Sequence, residues 1–213
     1  MLGPLLFDIF INDITHVGNA AKVLFADDAV FYVTAPTLAL CIEKLNKLIR
    51  ELSEWLKNNK LIPNTTKTKL MMFTPRHTRI LPDVFFNGAK VEWVNEFKYL
   101  GIIIDNSLNF SVQAREVYKK LSKMQGVVYS LSSLLPKPAL LTIYHSLVYS
   151  QVSQNIIIWG GVAEVNIKNI KIYLNKILRS ILGVKYDENN IPLVSINEMY
   201  KSLNLLKFED IYK

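Results

Sequence analysis

Across 213 residues, half of them hydrophobic, the chain has apolar mass for one good core or two small ones, which excludes a disordered polymer. Its 25 Lys and Arg against 18 Asp and Glu leave a formal charge of +7, which points to a polyanionic partner, nucleic acid or a membrane surface. A single cysteine, Cys41, excludes an internal disulfide or a cysteine zinc site, and His16, His77 and His145 are too dispersed for a zinc motif.

In chain order, residues 2–11 are apolar apart from Asp8, with Gly3 and Pro4 placed to start a helix. The run lacks a basic leader and a small-residue cleavage site, so it reads as neither a signal peptide nor a membrane span. A soluble intracellular protein is expected, with nucleus and cytoplasm not distinguished. Apolar residues cover so much of this helix that part of it should pack against a partner or another piece of the fold.

Val23, Leu24 and Phe25, then Val30, Phe31, Tyr32 and Val33, read as a tight antiparallel hairpin with Asp27 and Asp28 at its tip. Ionised carboxylates are costly beside apolar surface unless a cation or solvent compensates them, so the pair reads either as a divalent-metal site or as an ordinary turn. A long amphipathic helix follows to about Lys57, with Leu38, Leu45, Leu48, Leu52 and Leu56 on its apolar stripe and Cys41 as a small buried hydrophobe. Residues 69–73 form a short strand, Asn87-Gly88 marks a hairpin and residues 99–104 form another strand, with Gly101 allowing close approach. Beyond Asp105 the pattern turns helical over 111–131, 138–152 and 165–182, with a short helix near 196–204.

Together these segments resemble the reverse transcriptase domain of a non-LTR retrotransposon, a jockey-like mobile element, and specifically its C-terminal half only. The resemblance rests on Leu2-Gly3-Pro4, Ile11-Asn12-Asp13-Ile14, the Phe25-Ala26-Asp27-Asp28 box, the run from Trp55 to Asn64 with Lys67-Thr68-Lys69, and Phe97-Lys98-Tyr99-Leu100-Gly101. It continues through Tyr144 to Tyr149, Ile158-Trp159-Gly160 and Ile191-Pro192-Leu193, over nearly the whole chain.

The resemblance implies an α+β fold, a partial right-hand polymerase palm with the catalytic hairpin followed by an α-helical thumb. The boundaries are 1–106 for a palm truncated before the earlier catalytic aspartate motif, 107–183 for the thumb and 184–213 for a C-terminal extension. It implies an RNA-directed DNA polymerase, a nucleotidyltransferase, whose Asp27 and Asp28 are catalytic and bind Mg2+ in a two-ion site that is incomplete here. Gly3, Pro4, Phe25, Ala26, Lys67 and Lys69 would lie near the nucleotide, and Phe97, Lys98, Tyr99, Leu100 and Gly101 would grip the primer. Arg115, Tyr118, Lys119, Lys120 and Lys123 would meet the nucleic-acid backbone.

Each role has a plainer counterpart: helix initiation for Pro4, core packing for Phe25, Phe97 and Leu100, and a solvated helix face for the basic group. Trp159 is expected to anchor packing rather than read a base. The implied partners are an RNA template, a DNA primer, deoxynucleoside triphosphates and an N-terminal polymerase segment, with no membrane. Without that segment's aspartate and fingers the chain is not expected to be active alone. The alternatives are a noncatalytic nucleic-acid-binding remnant and a nonfunctional mobile-element fragment.

Overall fold

Local turn chemistry and apolar periodicity decide most element boundaries. The computed structural model describes residues 2–74, 80–189 and 192–212, and shows a mixed α+β fold with several β-hairpins and C-terminal helices. The chain divides into two units, Met1–Asn95 and Glu96–Lys213.

The first unit opens with α1 (Leu2–Ile11), a 3-10 turn (Asn12–His16) and the hairpin β1 (Ala21–Phe25) and β2 (Asp28–Tyr32). Helix α2 (Leu38–Asn58) starts where the Thr37 hydroxyl accepts the Leu40 N–H at 3.4 Å, a side-chain cap on an otherwise unpaired donor. β3 (Lys69–Leu70), β4 (Val84–Phe86) and β5 (Ala89–Trp93) form a three-stranded sheet in the order β3-β5-β4. The predicted strand over 69–73 stops at Leu70, because β5 offers it pairing only at Glu92 and Trp93. Leu48 and Leu52 of α2 pack with Ile14, Val17, Phe86 and Val91, so three to four residue spacing in the helix meets alternation in the strands. Helix α1 contributes no buried residue: Leu2, Leu5, Leu6, Ile9 and Phe10 are exposed, although its all-round apolarity predicts a helix packed against other elements. Cys41 is half-buried rather than buried.

The second unit begins with the hairpin β6 (Glu96–Tyr99) and β7 (Ile102–Asp105), so the single strand expected over 99–104 is instead broken by a two-residue turn. Leu100 at φ +46° and Gly101 at φ +86° are both left-handed, the geometry whose twist matches that of the flanking strands. Helices α3 (Ser111–Leu131) and α7 (Glu164–Leu182) form its centre, with Val117, Leu121 and Val128 of α3 meeting Ile170, Leu174, Ile177 and Leu178 of α7. Between them come α4 (Lys137–Ile143), a π-helical turn (Tyr144–Tyr149), α5 (Ser150–Ser153) and α6 (Ile156–Trp159). The predicted helix over 138–152 therefore exists with one widened turn, which keeps both Tyr144 and Val148 buried. Burial pushes the Tyr144 hydroxyl well above the ordinary tyrosine range.

Helix α8 (Ile196–Ser202) starts at a capping box, in which the Ser195 hydroxyl accepts the Glu198 N–H and the Glu198 carboxylate accepts the Ser195 N–H. The bond from the Ser195 N–H is the chief cause that holds the Glu198 carboxyl below its ordinary value. Helix α9 (Phe208–Tyr212) then brings Phe208 onto the Trp159 ring. No helix among the described residues is long and apolar enough to cross a membrane.

Candidate functional site

At the hairpin tip Phe25 pairs with Asp28 and closes the chain around Ala26 and Asp27. Leu24 and Phe31 pack on the core of the first unit, whereas Val23, Phe25 and Tyr32 remain exposed, so one sheet face anchors the hairpin and the other is bare. Both aspartates are exposed. Ala26 turns with φ +51°, a conformation that costs an L-residue roughly 1–2 kcal/mol. Ala26→Gly is accordingly expected to raise stability by about 0.5–1 kcal/mol and Ala26→Val to lower it by more than about 1 kcal/mol. Urea unfolding checks both, and a destabilising glycine would remove the strain from the account.

The tip does not stand alone. A hollow of about 310 Å³ is lined by Gly3, Pro4, Phe7 and Asp8 from α1 and by Ala26 and Asp27 from the turn. The structure therefore brings together two runs that are far apart in sequence, with Asp27 bordering the shared space. Phe7 and Asp8 were missed as neighbours of Asp27, although their position one helical turn beyond Gly3 and Pro4 is a usable signal.

Of the two lysines in the next run, Lys69 is half-buried and paired with Glu92 at 2.7 Å, which answers its charge within the sheet. Lys67 is exposed in a turn where its N–H donates to the Asn64 carbonyl and side-chain oxygen, each at 3.2 Å. The two are thus distinguishable: Lys69 is tied to Glu92, and Lys67 lies exposed in its turn.

In the second unit Phe97, Lys98, Leu100 and Gly101 are exposed and Tyr99 is half-buried. Phe97 and Leu100 therefore do not serve the core, and the turn presents apolar, cationic and backbone groups together. Along α3, Arg115, Lys119 and Lys123 recur every four residues and share one exposed strip. Lys119 pairs with Glu116 at 2.6 Å, a hydrogen bond that chiefly holds the Glu116 carboxyl below its ordinary value. Lys120 donates to Gln151 at 2.7 Å. Tyr118 meets Tyr173 edge-on at 5.2 Å, with Lys176 over the Tyr173 ring at 5.0 Å. Trp159 is fully buried and stacks at a tilt on Phe208, the packing role expected of it. Ile191, first residue of one quoted run, lies outside the described residues.

Carboxylate oxygens at an exposed turn suit a hard divalent ion in kind. Among the described residues, no group of three or more His, Cys, Asp or Glu side chains gathers to hold one.

The family model for reverse transcriptase (RNA-dependent DNA polymerase) matches residues 1–104, the stretch that carries the acidic hairpin. This corrects the expectation of a resemblance to the C-terminal half only: the family match lies in the N-terminal half of the sequence and stops before α3. The homology is to RNA-directed DNA polymerases of non-LTR mobile elements. Over 201 residues the chain is 27% identical to a probable RNA-directed DNA polymerase from transposon X-element of Drosophila melanogaster, covering 91% of this chain and 22% of that protein. It is 24% identical over 198 residues to the RNA-directed DNA polymerases from mobile element jockey of Drosophila funebris and Drosophila melanogaster, covering 87% of this chain and 21% of each. The chain thus spans about a fifth of the length of these relatives. No solved structure matches it.

Proposed function

We propose that the chain is a piece of an RNA-directed DNA polymerase, serving template-directed nucleotidyl transfer to a primer 3′ hydroxyl, and that it does not extend a primer by itself. The observation that carries this reading is the hollow where Gly3, Pro4, Ala26 and Asp27 meet, because two runs each read as nucleotide-proximal close on one space. Residues 1–106 act as palm, 107–183 as thumb and 184–213 as an extension.

In this reading Asp27 is the residue that would hold Mg2+, with Asp28 completing the negative patch. When bound, divalent ions would supply charge stabilisation to the attacking and leaving oxygens. Lys67 meets the triphosphate, Phe25 supports the hairpin beside the terminal base pair, and residues 97–101 orient the primer. The strip of Arg115, Lys119 and Lys123, with Lys120 and Tyr118 beside it, follows the sugar-phosphate backbone, so template identity is read by base pairing and not by these side chains. Lack of autonomous extension is supported by relatives whose named activity belongs to much longer chains. A further polymerase segment would supply the remaining ligand.

Single-nucleotide extension of an annealed RNA template and DNA primer with Mg2+ tests the proposal, beside Asp27→Asn/Asp28→Asn. No extension by either protein, with salt-sensitive binding of the hybrid, is the expected result. Lys119→Ala with Lys120→Ala should then reduce the salt slope by about 1–2. Extension abolished by the double aspartate change would show a complete site and overturn the inactivity. Absence of binding at low salt would overturn the nucleic-acid reading itself.

A further inference from the structure

The turn between β6 and β7 is braced from outside its own hairpin. A β-carbon built on Gly101 would lie 2.5 Å from the side-chain amide nitrogen of Gln154 and 3.5 Å from its Cδ, so the amide stands directly against the turn. Gln154 is in turn fixed through its backbone. Its N–H donates to the Ser150 carbonyl at 3.2 Å, and its carbonyl accepts the indole N–H of Trp159 at 2.9 Å. The next residue, Asn155, at φ +54°, separates α5 from α6 at this point.

A fully buried ring thus ties down the backbone of Gln154, and the side-chain amide of that residue meets the exposed turn. Hydrophobic burial does not account for Gln154, which is exposed and polar. Its contact is with an element that presents a cation, Lys98, and two left-handed residues together. A left-handed Leu100 is a conformation that persists only where surroundings over-determine it, and the Gln154 amide stands against the glycine that follows it.

We propose that Gln154 is a positioning residue for the 97–101 turn: its side-chain amide buttresses Gly101 and fixes the turn for a nucleic-acid sugar-phosphate backbone. The inference rests on the reading of residues 97–101 as a primer-orienting element.

Two measurements on the full chain separate the inference from that reading. Amide hydrogen exchange, needing no ligand, should show residues 99–102 exchanging about tenfold faster in Gln154→Ala with α3 and α7 unchanged. Gln154→Met, which keeps side-chain length, should restore protection. Binding of an annealed RNA–DNA hybrid should weaken about three- to tenfold in Gln154→Ala and recover in Gln154→Met. In a cycle with Gly101→Ala, the loss should be smaller when Gln154 is already alanine, because the collision partner is gone.

Unchanged exchange at the turn, or additive losses in the cycle, overturns the positioning role. Loss of protection throughout α3 and α7 also overturns it, since the role is confined to the turn. Faster exchange at the turn in a chain that binds no hybrid at low salt leaves the brace in place and overturns the primer-orienting reading instead.

Discussion

Trp159→Ala is expected to cost about 4–6 kcal/mol, a large share of the stability of an ordinary domain. The ring is fully buried, tilted at 56° on Phe208 with centroids 5.9 Å apart, and surrounded by the apolar cluster that joins α3 and α7. Truncation removes the transfer free energy of a large aromatic and leaves a cavity that a helical core fills only in part, a loss of about 3–5 kcal/mol. It also strands the Gln154 carbonyl, whose partner is the indole N–H at 2.9 Å, at about 1 kcal/mol more. Trp159→Phe keeps a ring against Phe208 and should cost only about 1–3 kcal/mol. Urea unfolding followed by circular dichroism distinguishes the two. A Trp159→Ala chain that keeps wild-type stability but loses hybrid binding would reverse the assignment and make the ring a base-contacting group.

That anchor was legible in the sequence because an indole with no basic cluster beside it has a ready home in a core. The long helices were legible for a related reason: apolar residues at three to four residue spacing in α2, α3 and α7 are the residues the structure buries or half-buries. Two hairpins show where legibility ends. Asn87-Gly88 adopts φ +48° and +79° and was read as a turn, because Asn and Gly enter that region at little cost. Leu100-Gly101 adopts nearly the same angles, yet a leucine beside a β-branched run reads as strand interior. The hollow beside Asp27 was half legible. The two runs were named separately, but their meeting depends on how α1 lies against the hairpin tip, which no local pattern encodes. Gln154 carried no signal, since a glutamine between helices is an ordinary solvent-facing residue until its neighbour is known.

Asp105→Ala is expected to cost about 3–4 kcal/mol and, unlike the tryptophan change, to do so in a pH-dependent way. The carboxylate is buried and accepts four bonds: from the Ser107 hydroxyl at 2.5 Å, from the Phe110 N–H at 2.7 Å, and from the N–H groups of Ser107 at 3.1 Å and Asn109 at 3.2 Å. Burial alone would raise its pKa, and the bonds from Ser107, Asn109 and Phe110 together outweigh burial and place it below the ordinary 3.8. A carboxyl depressed on folding stabilises fully above its unfolded value and loses that contribution as pH falls through the folded value. The gap in unfolding free energy between wild type and Asp105→Asn should therefore be constant above pH 5 or so and close below 3.8. Urea unfolding from about pH 6 down to about pH 2 measures it, and a gap that stays constant to the acid end would mean the bonds do not favour the ionised form. The loop that Asp105 ties ends at Phe110, held at φ +53° immediately before α3. Release of that loop frees the first turn of α3 beside Arg115, so Asp105→Asn is expected to weaken hybrid binding at neutral pH even where the rest of the fold survives.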